Sequence, residues 1–273
     1  LGLAYMLVVF HIATKKDHRI YYRSSLTYRS KHIILGSFAS ETEAHTAYLA
    51  ALQLLESDVS VDDAFLTPSL LSFEKIVMLI NFRDNNMYIP TPIYLRKNYF
   101  SYYLATDREL KFDIDDLFYY SSHKILKRQG HLYVNDYGMQ ITLLSRYGIK
   151  SHAVCDRDYR FVNGDKNDFR YSNIEVINPY FGVMRYIKNG MYRYRVRLHI
   201  NGNHTIGTYR DETRAAIAYN KSVDLAHQAG IDKKYPENYI EDLSAKDYAE
   251  IYTKVKISKK YLEYLDSLKS GSN

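Results

Sequence analysis

The chain has 273 residues, 46% of them apolar, enough to bury a sizeable core and to divide into roughly two or three domains. Its 37 Lys and Arg against 31 Asp and Glu leave a formal charge of +6, which favours an anionic partner such as nucleic acid. A single cysteine, Cys155, excludes an intramolecular disulfide and suits a reducing cytoplasm, where it is expected as a core residue and not a nucleophile. No apolar run approaches the roughly 18 residues of a membrane span, so neither a membrane segment nor a signal peptide is expected.

Taken in chain order, Met6 to Ile12 is a short apolar run read as a strand. Tyr21 to Tyr28 alternates, turns at Arg29-Ser30-Lys31, and continues into a second strand ending at Leu35-Gly36. Ser40 is a good helix N-cap and completes a capping box with Glu43. The helix carries Ala44, Ala47, Tyr48, Ala51, Leu52 and Leu55 on one stripe, small enough to lie close against a sheet. Asp58 to Asp63 reads as an acidic linker. Pro68 to Phe82 reads as a helix with Leu71, Ile76, Leu79 and Ile80 inward, broken by Pro90-Thr91-Pro92. Tyr94 to Ser145 is expected to form strands with one helix, capped near Asp113 and running through Phe118. The histidines show no metal-ligand spacing, so His123, His131 and His152 read as ordinary surface or core residues.

The layout of the first module returns near the C-terminus. Tyr192 to Ile200 alternates, turns at Asn201-Gly202-Asn203 and continues to Ile206-Gly207. A helix begins at Asp211, with Ala215, Ala218, Tyr219, Val223 and Ala226 on its stripe. Leu35 to Tyr48 and Ile206 to Tyr219 share Gly, Glu, Thr, Ala, Ala and Tyr, which marks one module used twice. In the second copy a period of two puts Arg193, Arg195 and Arg197 on one sheet face. Tyr192, Tyr194, Val196 and Leu198 occupy the other, beneath the helix. Between Phe181 and Lys221 the only acids are Asp211 and Glu212, against Arg185, Lys188, Arg193, Arg195, Arg197, Arg210, Arg214 and Lys221. A solvated charged face would be the bland account. An all-arginine alternation instead suits guanine edges and phosphates, which arginine grips with its planar fork. Beyond Tyr239, Asp247 to Val255 and Ser258 to Leu268 read as helices. Their apolar faces are suited either to docking on the core or to a homodimer.

Tyr180-Phe-Gly-Val183, the arginine strand, the Asn-Gly turn, Ile206-Gly-Thr-Tyr209 and the Ala-Ala-x-Ala-Tyr helix resemble the Apetala/ethylene-response-factor DNA-binding domain. The resemblance implies a three-stranded antiparallel sheet on one helix, with the sheet in the major groove. It implies Arg185, Arg193, Arg195, Arg197 and His204 as reading positions, with Arg210 beside them. The family commonly has Trp in these strands, and Tyr192 stands where one would be expected. In the N-terminal copy Tyr22, Ser24, Leu26 and Tyr28 are expected in place of the arginine face. That copy would bind DNA through Arg23, Arg29, Lys31 and His32, sharing one long bipartite site, or would serve only as a packing unit.

Tyr159 to Ile174 resembles the core of HNH homing endonucleases of phages, which often carry an Apetala-type domain behind it. Asn163, Gly164, Asp165, Asp168, Arg170 and Asn173 match that motif. Where the family has an Asp that holds a divalent metal and a His that deprotonates water, this chain has Arg160 and Phe161. An Arg repels a metal and a Phe takes no proton, so loss of cleavage is implied. What remains, Lys166 and Arg170 included, suits a phosphate backbone. The expected class is α+β: two sheet-plus-helix modules flanking a degenerate ββα-type core. The expected order is module 1-57, linker and helix 58-93, HNH-like core 94-178, DNA-binding module 179-240 and helical extension 241-273. The implied function is sequence-specific binding of double-stranded DNA, as a cytoplasmic or nucleoid-associated regulator of a phage or mobile element, with no cofactor. An active nicking enzyme using a divalent metal on Asp156, Asp158 or Asp165 is the alternative, and a protein-interaction module the second.

Overall fold

The computed structural model describes residues 10–14 and 20–270. The chain is α+β, with small antiparallel sheets, helices packed on them, and no closed barrel among the described residues. Of the expected N-terminal strand, Met6 to Val9 lie outside the described residues, and Phe10–Thr14 forms a strand, β1. The chain divides into two compact units: one runs to Leu143 and includes Asn163–Asn173, and the other comprises Leu144–Val162 and the chain from Ile174 onward.

In the first unit β1 pairs antiparallel with β2 (Ile20–Tyr28), which pairs with β3 (Lys31–Phe38). Arg29 and Ser30 both take positive φ, as a two-residue hairpin of right-handed twist demands. Neither is glycine, so the turn is strained. The Arg29 guanidinium stabilises it by donating to the Phe82 carbonyl and to Asn86 Oδ1, each at 3.0 Å. Helix α1 (Glu41–Glu56) starts from Ser40 with the full reciprocal capping box, and buries Ala44, Ala47, Ala51 and Leu55.

The acidic stretch after α1 is not a linker. Ser60 caps a short helix, α2 (Val61–Phe65), whose Val61 and Ala64 enter the same core as Leu26, Ile33, Leu35 and Ala51. The next helix starts later than the apolar pattern suggests, because Ser72 supplies its N-cap. It is α3 (Phe73–Asn85), and it is buried all round from Ile76 to Phe82. Two three-stranded antiparallel sheets follow. The first is β4 (Ile93–Leu95), β5 (Tyr99–Ala105) and β6 (Arg108–Asp113). A short helix, α4 (Leu117–Ser122), leads to β7 (Ile125–Arg128), β8 (His131–Asp136) and β9 (Met139–Thr142).

In the second unit β10 (Tyr159–Phe161) pairs with β11 (Ile174–Val176). Beyond β11 the chain passes without a helix into β12 (Val183–Lys188), so the expected ββα arrangement lacks its helix. β12 is the first strand of a three-stranded sheet with β13 (Met191–His199) and β14 (Asn203–Tyr209). Helix α5 (Glu212–Gln228) starts from Asp211, whose side chain accepts from the Arg214 N–H, and lies across the sheet.

The repeat extends to backbone irregularities. Both modules carry a bulge one strand from the helix: Ser24 pairs with Gly36 but Ser25 with Ile34, and Val196 with Gly207 but Arg197 with Thr205. The extra residue is Leu35 in one and Ile206 in the other, and both are buried. The shared glycine follows it for a steric reason. A Cβ on Gly36 would stand 2.9 Å from the Phe38 ring, and one on Gly207 2.5 Å from the Tyr209 hydroxyl. An aromatic two residues on folds back over the space the glycine leaves.

The C-terminal helices are α6 (Ala245–Lys254) and α7 (Lys259–Ser270). α6 covers the back of α5, packing Tyr248, Ile251 and Tyr252 over Ile217 and Ala218. α7 inserts Tyr261 and Leu265 into the sheet–helix core. The Lys221 ammonium donates to the carbonyls of Tyr252 and Val255 at the end of α6, and Ser258 N–H donates to the Ile206 carbonyl at the bulge. Parts of the apolar faces of both helices thus pack within the chain, while no residue of α6 is fully buried. Cys155 is only partly buried and not in the core, in an isolated bridge with Tyr159.

Candidate nucleic-acid interface

Strand pairing assigns each side chain of the C-terminal sheet to a face. Val183, Val196, Leu198 and Ile206 point to α5 and are buried. Opposite Arg195 stand Met184 on one side and Thr208 on the other, opposite Arg193 stands Tyr186, and opposite Arg197 stands Thr205. These residues and the three arginines therefore share the face turned away from the helix. Among the described residues none of the three arginines forms an ion pair. Arg195 lies against a ring. Its guanidinium carbon lies 4.9 Å from the centroid of the Tyr186 ring, and it bonds to the Tyr186 hydroxyl. A hydrogen bond from Thr208, then the bond and charge of Arg195 and the charge of Lys188, hold the Tyr186 phenol below its ordinary range.

Two residues implied as readers are elsewhere. Arg185 pairs with Tyr194, so it projects to the helix side. There its guanidinium lies over Tyr192 at 4.9 Å and 3.6 Å from Glu175. His204 pairs with Leu198, also on the helix side, and stacks on Tyr264 of α7 at 4.0 Å while its Nε2 donates to the Ile200 carbonyl. Strict alternation places Arg185 with Val183 and excludes it from the arginine face. The covering of His204 depends on α7, which no local pattern reveals. Arg210 lies one residue past β14 and is exposed. Tyr192, expected beneath the helix, is 54% exposed because α5 does not extend over that end of β13. Tyr186, Thr205 and Thr208 were missed, although the same alternation applied to β12 and β14 places them beside the arginines.

In the N-terminal module the bulge register pairs Ser24 with Gly36, as it pairs Val196 with Gly207. The counterparts of Arg193, Arg195 and Arg197 are therefore Tyr21, Arg23 and Ser25. Tyr22, Ser24, Leu26 and Tyr28 belong to the helix side, where Ser24 and Leu26 are buried and Tyr28 packs on the core. The turns differ by one residue, which shifts β2 against β13 and invalidates the ungapped comparison. Arg29 is engaged by Phe82 and Asn86, and Lys31 lies over the Tyr88 ring, leaving Arg23 and His32 exposed.

The HNH-like positions hold their own loop together. Asn163 Nδ2 donates to Asp168 Oδ2, Asn163 Oδ1 accepts from Asp165 N–H, and Asp165 Oδ1 accepts from Asn167 N–H. Asn173 Nδ2 donates to the Asp168 carbonyl, and its Oδ1 accepts from Asn163 N–H. Gly164 takes φ +80 in the turn. The carboxylate of Asp168 is 1% exposed and receives Nε and Nη2 of Arg170 at 2.8 and 2.6 Å. Burial pushes that carboxyl upward, but the hydrogen bonds from Arg170 and Asn163 and the Arg170 charge outweigh it and hold it below the usual range. The loop docks on β6, where Asn167 and Phe169 bond with Lys111 and Tyr171 N–H donates to Asp113. Arg170 thus spends Nε and Nη2 on Asp168 and keeps Nη1, whereas Lys166 is exposed. Arg160 is bound to Glu175 across β10 and β11 at 2.6 Å, and Phe161 packs on Tyr159.

Among the described residues no group of three His, Cys, Asp or Glu side chains is placed to hold a metal ion. Of the alternative ligands, Asp158 already accepts from Val154, Arg157 and Asn178. No described helix is long and apolar enough to cross a membrane. No family model, curated protein or solved structure matches the chain.

Proposed function

We propose that the chain is a sequence-specific double-stranded DNA-binding protein, built like an HNH homing endonuclease whose catalytic pair has been replaced. We propose further that it regulates transcription in a phage or mobile element. One observation carries the reading. Arg193, Arg195 and Arg197 stand in a row on an open sheet face with no counter-ion among the described residues, flanked by Tyr186, Thr205 and Thr208. Three like charges so placed repel one another until an anion lies opposite. A narrow antiparallel sheet fits the roughly 12 Å major groove, where arginine bonds guanine bidentately.

Loss of cleavage is supported by Arg160, committed to Glu175, and by Phe161, which carries no titratable group. It is supported again by the loop residues, whose polar groups are used in holding the loop. A homing enzyme without cleavage keeps a long recognition site, which is what a regulator needs. The test is a mobility-shift series on genomic fragments with magnesium, scoring binding and strand integrity together. Retention of one fragment with both strands intact is the expected result. Nicks at one position, abolished by Asp165→Ala, would replace this reading with that of an active nicking enzyme.

A further inference from the structure

Beside the outer edge of β12 a cavity of about 230 Å³ opens. Lys150, His152, Arg157 and Asp158 line one side of it, and Phe181 and Met184 the other. Met184 also pairs with Arg195, so the cavity and the arginine face share a wall. The Lys150 ammonium stands 3.8 Å from the centroid of the Phe181 ring and, among the described residues, has no hydrogen bond or ion pair. The adjacent carboxylate of Asp158 is satisfied by Arg157, Asn178 and Val154. Arg157 uses Nε and Nη2 on Asp158 and keeps Nη1 free. Within ion-pair distance the half-buried Lys150 ammonium therefore has no anion among the described residues: Asp158 is taken by Arg157, and Glu212 acts on it only at longer range.

We propose that this cavity takes one backbone phosphate of the DNA lying on the arginine face, with Lys150 as its ion-pair partner and Arg157 Nη1 beside it. The proposal rests on the DNA-binding reading and extends the contact from the sheet face around the β12 edge. Half-burial of a lone ammonium is unfavourable. It pushes the Lys150 amine down to about 8, although Asp158 on its own segment and Glu212 at the start of α5 act upward. The other groups around the cavity are Arg157, His152 and Tyr180, with Arg185 acting on Glu212. A phosphate restores the missing charge. Because the free amine loses its proton as pH rises through about 8, the contact is full below that pH and lost above it.

The experiment uses the full chain and a duplex carrying its site, with Lys150→Gln and Lys150→Arg beside the native protein. Lys150→Gln should lower the slope of log affinity against log salt by about 0.9, the value for one phosphate, and equally on specific and random duplex. Native affinity should fall between pH 7 and pH 9, and Lys150→Arg should remove that fall. An unchanged slope in Lys150→Gln, or a pH dependence that persists in Lys150→Arg, overturns the phosphate contact while leaving the DNA reading standing. Thermal stabilisation by inorganic phosphate that depends on Lys150, with the DNA slope unchanged, would reassign the cavity to a free anion and overturn it too. Failure of the native chain to bind any duplex overturns both readings together.

Discussion

Arg195 is held differently from its neighbours in the stripe. Stacked on Tyr186 and bonded to its hydroxyl, it is oriented before DNA arrives, whereas Arg197 has no side-chain partner among the described residues. Pre-orientation lowers the entropy that binding must overcome. Arg195→Ala should therefore cost about 1–3 kcal/mol on the specific site and much less on random duplex. Tyr186→Phe, which keeps the ring and removes the hydroxyl, should reproduce part of the loss of discrimination. Titrations on matched and random duplexes measure both. Equal losses on the two DNAs would show that Arg195 holds phosphate alone, and no loss on either would return the stripe to a solvated face.

At the scale of elements, the 163–173 loop is a scaffold held by its own polar side chains. The matching side chains bond to each other and to the loop backbone, so the spacing is required by the turn whatever the chemistry. Removing the carboxylate in Asp168→Ala leaves Arg170 and Asn163 without their acceptor and should destabilise the chain by about 2–3 kcal/mol. The native Asp168 titrates below its unfolded value, so its contribution is present above about pH 4 and lost as the pH falls further. Denaturant melts at pH 7 and pH 3 should show a large difference between native and variant at the higher pH and a small one at the lower. A variant equal in stability to the native chain at pH 7 would remove the scaffold account of the motif.

For the whole molecule, the two copies of the module share a fold and differ in their exposed faces. Where the C-terminal sheet carries three arginines the N-terminal one carries Tyr21, Arg23 and Ser25, of which Arg23 is exposed and Ser25 buried. Its core is continuous with α2 and α3, so a deletion of residues 1–57 would expose Val61, Val77 and Ile80, and substitution is the sounder test. Arg197→Ala should cost about 1–3 kcal/mol of specific binding, and Arg23→Ala a small fraction of that. Equal losses would mean that both faces lie on DNA in one bipartite site.

The sequence by itself determined the periodic parts of this protein. Alternation put Arg193, Arg195 and Arg197 on one face, Ser40 and Asp211 began the helices, and the repeated Gly-x-x-x-x-Glu-Thr pattern exposed the duplication. Those features follow from bond geometry over a few residues, and neighbours in sequence suffice to specify them. Only the tertiary structure decided that β2 is displaced by one residue against β13, that His204 is stacked under α7, and that α6 closes the back of α5. It also decided that Asp58 to Asp63 leads into the core and that Arg170 is spent on a buried carboxylate. Each of these depends on a partner far away in the chain. Burial and charge pairing are properties of what packs against a side chain, and no local period records that.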